Sequence, residues 1–205
     1  PRLLDIGCGK GFFLKEAANQ GFSAEGIDLS SSGIKYAVDQ LRTKAVVGRV
    51  EDFTGRWRGT FDVVTMWATI EHLPDPVKTV RAARECLKPG GFLFLDTGLG
   101  DAPWERFLAG HSQWYDAPQH LFVYSREGLL EICKNAGLKP VFIDTNFERS
   151  AARKLLKYLR HAYLCMIPFL CARPMLGLCG WAKLREEAKW PIGRLITIVA
   201  QKELA

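Results

Sequence analysis

Near the start of the chain a short apolar run, Leu3-Leu4-Asp5-Ile6, feeds directly into Gly7-Cys8-Gly9-Lys10-Gly11. Such a run followed by alternate glycines reads as a buried strand and a tight turn that opens a helix. A chain built this way must fold the helix back onto its strand, and the rest of the sequence repeats the arrangement. Helix Phe12–Asn19 is closed by Gly21, residues 24–28 form a second strand, and Ser30 or Ser31 caps a helix running to about Leu41. Residues 45–48 read as a short third strand, and Phe61–Trp67 as an apolar fourth strand of the kind covered on both faces. Asp75 and Pro76 start a helix that ends at Lys88-Pro89-Gly90-Gly91, ahead of a strand over 92–96. A polar, aromatic-rich loop over 97–119 precedes a helix over 125–136 stopped by Gly137, a strand over 141–147, and a last strand over 195–200. The alternation predicts an α/β fold: a doubly wound, mostly parallel seven-stranded sheet with helices on both faces. The last two strands suit an antiparallel edge.

With 48% hydrophobic and 24% charged residues, the 205-residue chain has too much apolar surface for disorder, and low-complexity readings fail equally. Its formal charge of +6 is local. Residues 1–148 carry 17 basic and 19 acidic side chains, whereas residues 149–190 carry nine basic and two acidic. This divides the chain into a nearly neutral core (1–148), a basic apolar helical insertion (149–190) and a final core segment (191–205). Within the insertion, residues 162–172 are apolar, but a spanning helix needs about 20 such residues, and Pro168 and Pro174 interrupt. The segment suits either an anionic lipid surface or packing over the active site or another subunit. Nucleic acid is disfavoured, because the charges are mixed with long aliphatics and no reader motif occurs. Six cysteines without a CxxC pair point to a reducing, cytoplasmic compartment, with peripheral membrane contact if 149–190 lies on lipid. Opening at Pro1, one step before a core strand, predicts a preceding segment.

The glycine turn places backbone near a ligand at a helix N-terminus. Asp28 ends the second strand 17 residues after Gly11, where an acid would accept from ribose hydroxyls, the alternative being a helix cap. The spacing is G-x-G-x-G rather than the G-x-G-x-x-G that seats a pyrophosphate. Asp5, two residues before the first glycine, would repel a diphosphate and attract an ammonium group. The expected cofactor is cationic and lacks a diphosphate, as S-adenosylmethionine does.

Five segments then occur in order: Asp5-Ile6-Gly7-Cys8-Gly9-Lys10-Gly11, Gly26-Ile27-Asp28-Leu29-Ser30, Glu51-Asp52-Phe53, the stretch from Phe61 through Glu71-His72-Leu73-Pro74-Asp75-Pro76, and Leu87-Lys88-Pro89-Gly90-Gly91. Together they resemble the motif series of class I S-adenosylmethionine-dependent methyltransferases, of the small-molecule kind that includes the ubiquinone-biosynthesis enzymes. The resemblance implies a Rossmann-like methyltransferase fold. It also implies that Asp5, Gly7, Cys8 and Gly9 line the methionine end of the cofactor and that Asp28 holds the ribose. Leu29 would lie against the adenine, Asp52 accept from its amino group, Phe53 pack the ring and Trp67 border the sulfonium. For Phe53 and Trp67 a core role is the equal alternative.

Methyl transfer needs alignment of reactants, and a base only where the acceptor is protonated. His72, just past the fourth strand, and His120, entering the helix after the aromatic-rich loop, are the candidate catalytic residues, ahead of His111 and His161. Bracing hydrogen bonds are the alternative for both. Some similar enzymes hold a divalent metal with an acid three residues before Glu71; Ala68 stands there, so no metal is expected. The expected reaction is methyl transfer to a small molecule, on a hydroxyl oxygen, with a lipid or lipid-linked glycan among the acceptors. A nucleotide-dependent oxidoreductase and a non-catalytic cofactor-binding module are the rival readings.

Overall fold

The computed structural model describes residues 1–102, 113–115, 117–145 and 195–203. Seven strands, β1 (Arg2–Ile6), β2 (Ser23–Asp28), β3 (Lys44–Val47), β4 (Phe61–Trp67), β5 (Leu87–Gly98), β6 (Leu138–Thr145) and β7 (Leu195–Lys202), form one sheet in the order β3-β2-β1-β4-β5-β7-β6. Among the described strands β7 runs against the direction of the rest, antiparallel to both β5 and β6. The expected antiparallel pair is therefore present, but β7 lies inside the sheet and β6 forms the edge. Five helices, α1 (Phe12–Asn19), α2 (Ser31–Asp39), α3 (Val50–Trp57), α4 (Pro76–Cys86) and α5 (Arg126–Asn135), flank it. Leu14 and Ala17 of α1 and Ile34 of α2 pack with Leu3, while α3, α4 and α5 bury the larger core around Leu4, Val64, Leu93 and Ile198. No helix among the described residues is long and apolar enough to cross a membrane.

Caps set the helix starts. Ser30 Oγ accepts from Gly33 N at 3.1 Å, Asp75 Oδ1 from Lys78 N at 2.9 Å, and Ser125 Oγ from Gly128 N at 3.0 Å. Two features depart from the sequence expectation. Helix α3 carries no pattern to announce it: Arg49 makes no side-chain cap, and only Val50 and Trp57 are buried. Trp57 anchors it by stacking on Phe53 at 4.8 Å and meeting Phe61 edge-on. Secondly, β5 starts at Leu87, not after the glycines. Leu87 pairs with Phe61 and Phe92 with Val63, so the register shifts, and Pro89 and Gly90 (φ +78°) lie in the irregular stretch between. The insertion and the loop histidine His111 lie outside the described residues.

Lys202 ties the end of β7 to the other layer: its ammonium donates to the carbonyls of Arg84 at 3.0 Å and Leu87 at 2.6 Å, at the C-terminus of α4. Replacing it with methionine leaves those carbonyls bare and should cost roughly 1–3 kcal/mol, read as a lower urea midpoint.

Asp5, only 3% exposed, sits between β1 and β4 and accepts from Thr65 Oγ1 at 2.6 Å. Burial pushes its carboxyl up to about 7; the Thr65 hydrogen bond works against this and the Asp28 charge adds to it. A raised acid favours the folded state at low pH, and the advantage fades between about pH 4 and 7, by about 1.4 kcal/mol per unit. The melting temperature of the free protein should therefore fall over that window relative to Asp5→Asn. Parallel curves for the two proteins would show that Asp5 is ionised throughout.

Candidate functional site

The strand order reverses between β1 and β4, and a cavity of about 510 Å³ opens at the carboxyl ends of β1, β2 and β4. Gly7, Asp28, Leu29, Asp52 and His72 line it. The glycine turn is fixed by crowding: at φ +79° a Cβ on Gly7 would strike the side chain of Thr69. The Thr69 hydroxyl is itself held by the carbonyls of Trp67 at 3.0 Å and Ile6 at 3.3 Å.

Asp28 organises the turn. Its Oδ2 accepts from Gly9 N at 2.9 Å and its Oδ1 from Ser30 N at 2.7 Å. Since Ser30 caps α2, Asp28 is not the cap of that helix. Three more N–H groups of the turn are engaged in the fold: Gly7 and Cys8 donate to Ile27 O at 2.8 and 3.3 Å, and Gly11 to Cys8 O at 2.9 Å. A turn that cradles a pyrophosphate keeps such donors for its ligand. Here four of them are engaged inside the protein.

The other predicted residues are placed more variously. Cys8 is 8% exposed, packs with Leu14, and has a thiol pushed up to about 12 by burial, so its side chain belongs to the core. Gly9 supports Asp28 from outside the cavity wall. Phe53 stacks on Trp57 and reaches under Gly48, at the cavity edge. Trp67 meets Phe13 edge-on at 5.5 Å, and its buried Nε1 has no hydrogen-bond partner among the described residues. Asp52 stands in the first turn of α3, where a negative charge is favoured.

Sequence reasoning missed three participants. Ala68 lines the cavity in a left-handed conformation (φ +46°), held by its N–H donating to Asp96 Oδ1 at 3.0 Å. Burial raises the carboxyl of Asp96 above the usual carboxylate range. Neither residue carries a sequence signal, because Asp96 meets Ala68 only through the pairing of β5 with β4. Glu51 lines the cavity wall and accepts from the Thr79 hydroxyl, joining α3 to α4.

His72 and His120, 48 residues apart in sequence, meet at a ring separation of 5.0 Å. His72 Nδ1 bonds to Gln119 O at 2.6 Å, and His120 Nδ1 to Trp114 O at 3.2 Å, with the His120 ring stacked on Trp114. A backbone carbonyl only accepts, so each Nδ1 carries the proton and each Nε2 keeps its lone pair. The Glu71 carbonyl accepts from Leu121 N at 2.9 Å, which straps the His120 segment onto the turn after β4. The Glu71 side chain, 1% exposed, accepts from Thr97 Oγ1 at 2.9 Å on one oxygen, while the other has no partner among the described residues. Ligating atoms of Glu71, His72 and His120 all lie within 4.8 Å of one another.

Residues 1–142 match the family model described as a methyltransferase domain. Ubiquinone biosynthesis O-methyltransferases from Xanthomonas campestris pv. campestris (strain B100) and Thiobacillus denitrificans are each 39% identical over 101 residues. That stretch is 47% of this chain and 42–44% of theirs, so the match spans less than half the length of these relatives. Among solved structures, the [4+2]-cyclase SpnF superposes with a TM-score of 0.68 at 21% identity, over all of this chain and 76% of that one. A Methanosarcina mazei S-adenosylmethionine-dependent methyltransferase gives 0.65 at 18% identity, over 100% and 93%. These likenesses show the fold. The family match over residues 1–142, laid on the sheet and glycine turn described above, places the chain in the class I S-adenosylmethionine-dependent methyltransferase family.

Proposed function

We propose that the chain transfers a methyl group from S-adenosylmethionine to a hydroxyl oxygen of a small, apolar acceptor. The observation that carries this reading is the placement of His72, which lines the same cavity as Gly7 and Asp28 and touches His120. Bound S-adenosylmethionine supplies an electrophilic methyl carbon; the protein's part is to hold, align and shield.

In this reading Asp28 takes the ribose hydroxyls, since each of its oxygens keeps a lone pair after its backbone bond. Asp5, Gly7, Cys8 and Gly9 shape the methionine end, with Cys8 acting through its backbone. Leu29 (62% exposed) covers the adenine, Asp52 accepts from its amino group, Phe53 supports the ring and Trp67 borders the sulfonium. The carboxylates of Asp5 and Asp28 make this floor suited to a cation, and the internal use of the turn's donors argues against a dinucleotide.

Oxygen as the acceptor atom is supported by the likeness to O-methyltransferases and by the histidine pair. A hydroxyl attacks well only once its proton is loosened, and His72 and His120 are the residues placed to loosen it. Exposed Leu121 and Phe122, beside His120, suit an apolar acceptor, with a lipid or lipid-linked glycan among the classes that fit. The basic segment 149–190 would then bring the protein to a cytoplasmic lipid surface, a proposal that co-sedimentation with anionic vesicles at low and high salt tests.

Calorimetry with S-adenosylmethionine, S-adenosylhomocysteine and NAD should show binding of the two sulfur ligands only. Tight NAD binding would restore the oxidoreductase reading. Asp28→Ala, which removes both the ribose contact and the anchor of Gly9, should weaken S-adenosylmethionine at least tenfold, about 1.4 kcal/mol. In assays of S-adenosylhomocysteine release with phenolic acceptors, His72→Ala should lower turnover by about 100-fold or more. Undiminished turnover would move the acceptor elsewhere in the cavity.

A further inference from the structure

At and just past the end of β5, Gly98 and Gly100 stand on either side of Leu99, clear of the cofactor cavity. Neither has a positive φ, so neither is there to turn the chain. Each instead leaves room for a side chain of the segment that follows. A Cβ on Gly98 would strike the Trp114 indole, and one on Gly100 would strike Val123 Cγ1. The indole atoms met at Gly98 include both carbons of the fused ring bond, so the face of the ring rests on the strand, not its edge. Backbone bonds hold the same segment down: Gly100 N donates to Tyr124 O at 2.7 Å, and the Tyr124 hydroxyl to Ile70 O at 3.0 Å. The seated indole stacks on the His120 ring at 5.3 Å and 22°, and the Trp114 carbonyl takes the His120 Nδ1–H. His120 in turn lies 5.0 Å from the ring of His72, whose Nδ1 is bonded to Gln119 O.

We propose that Trp114, seated on Gly98, is a positioning residue: it fixes the ring plane and tautomer of His120 and, through residues 119 and 120, those of His72. The sheet, not the loop, sets where the indole lies, because Gly98 is held in the ladder by its pairing with Leu195 of β7. An imidazole held by a single hydrogen bond can still swing about it. A ring bonded at Nδ1 and stacked on an anchored indole loses that freedom. A general base must present its lone pair within hydrogen-bond reach of the proton it takes, so ring plane and tautomer decide whether Nε2 can serve. Gly98 and Trp114 act only through the histidines and touch neither cofactor nor acceptor. That the two rings act on an acceptor hydroxyl rests on the oxygen-acceptor reading above; their placement by Trp114 does not.

Long-range nitrogen–proton NMR of the histidine rings in the full chain, at a pH where both are neutral, reads the placement directly. The expected wild-type pattern is Nδ1–H in His72 and His120. Trp114→Ala should release His120 to the mixed tautomers of a free imidazole, whereas Trp114→Phe, which keeps a flat ring against Gly98, should retain the wild-type pattern. Gly98→Ala leaves Trp114 in the sequence but removes its seat, and should reproduce the Trp114→Ala spectrum. All three variants should still bind S-adenosylhomocysteine. With the phenolic acceptors of the turnover assay, Trp114→Ala and Gly98→Ala should lower kcat about tenfold or more with little change in cofactor KM, and Trp114→Phe should restore most of it. His120 signals unmoved by Trp114→Ala and Gly98→Ala, or moved as far by Trp114→Phe, overturn the proposal. Released rings with undiminished turnover leave the positioning role standing and sink the acceptor reading.

Discussion

The cavity end of β1 and β2 hangs on the carboxylate of Asp28. One oxygen restrains the glycine turn through Gly9 and the other restrains the start of α2 through Ser30. Two loops that leave adjacent parallel strands are thereby held in a fixed relation by a single side chain. The arrangement works because a carboxylate accepts several hydrogen bonds at once, so bracing the protein does not exhaust its capacity for a ligand. Gly7 against Thr69 performs the same service on the other side, by steric contact instead of hydrogen bonding.

The floor of this end is also electrically unusual. Asp5 and Asp28 lie close enough for the charge of one to raise the proton affinity of the other, and neither takes part in an ion pair among the described residues. Burial and the neighbouring charge of Asp28 together favour the protonated form of the Asp5 carboxyl, against the hydrogen bond from Thr65.

The strands and most helices were legible because their signals are local: apolar runs, a serine or aspartate before a helix, a glycine after one. The cavity residues Gly7, Asp28, Leu29 and Asp52 were legible as a group too, since they lie at or follow the ends of consecutive strands. Helix α3 was not, because a helix whose buried residues are only Val50 and Trp57 shows no periodic face. Nor were Asp96 beside Ala68, or His120 beside His72, contacts made by sheet pairing and by a strap of backbone hydrogen bonds. The sequence put Glu71 next to His72 but carried no sign that its side chain would be buried and bonded to Thr97.

The interior position of β7 has a consequence for how the molecule assembles. On a growing chain the five strands β1 to β5 can pair as they emerge, but β6 has no seat until Leu195–Lys202 arrives to lie between it and β5. Until then β5 is a bare edge and α5 has half a surface to rest on. Closing the intervening stretch costs little more than closing a short loop, because the entropy grows only with the logarithm of length. The delay is therefore one of order in time: among the described strands, the β5–β7–β6 half of the sheet is completed only when β7 has been made.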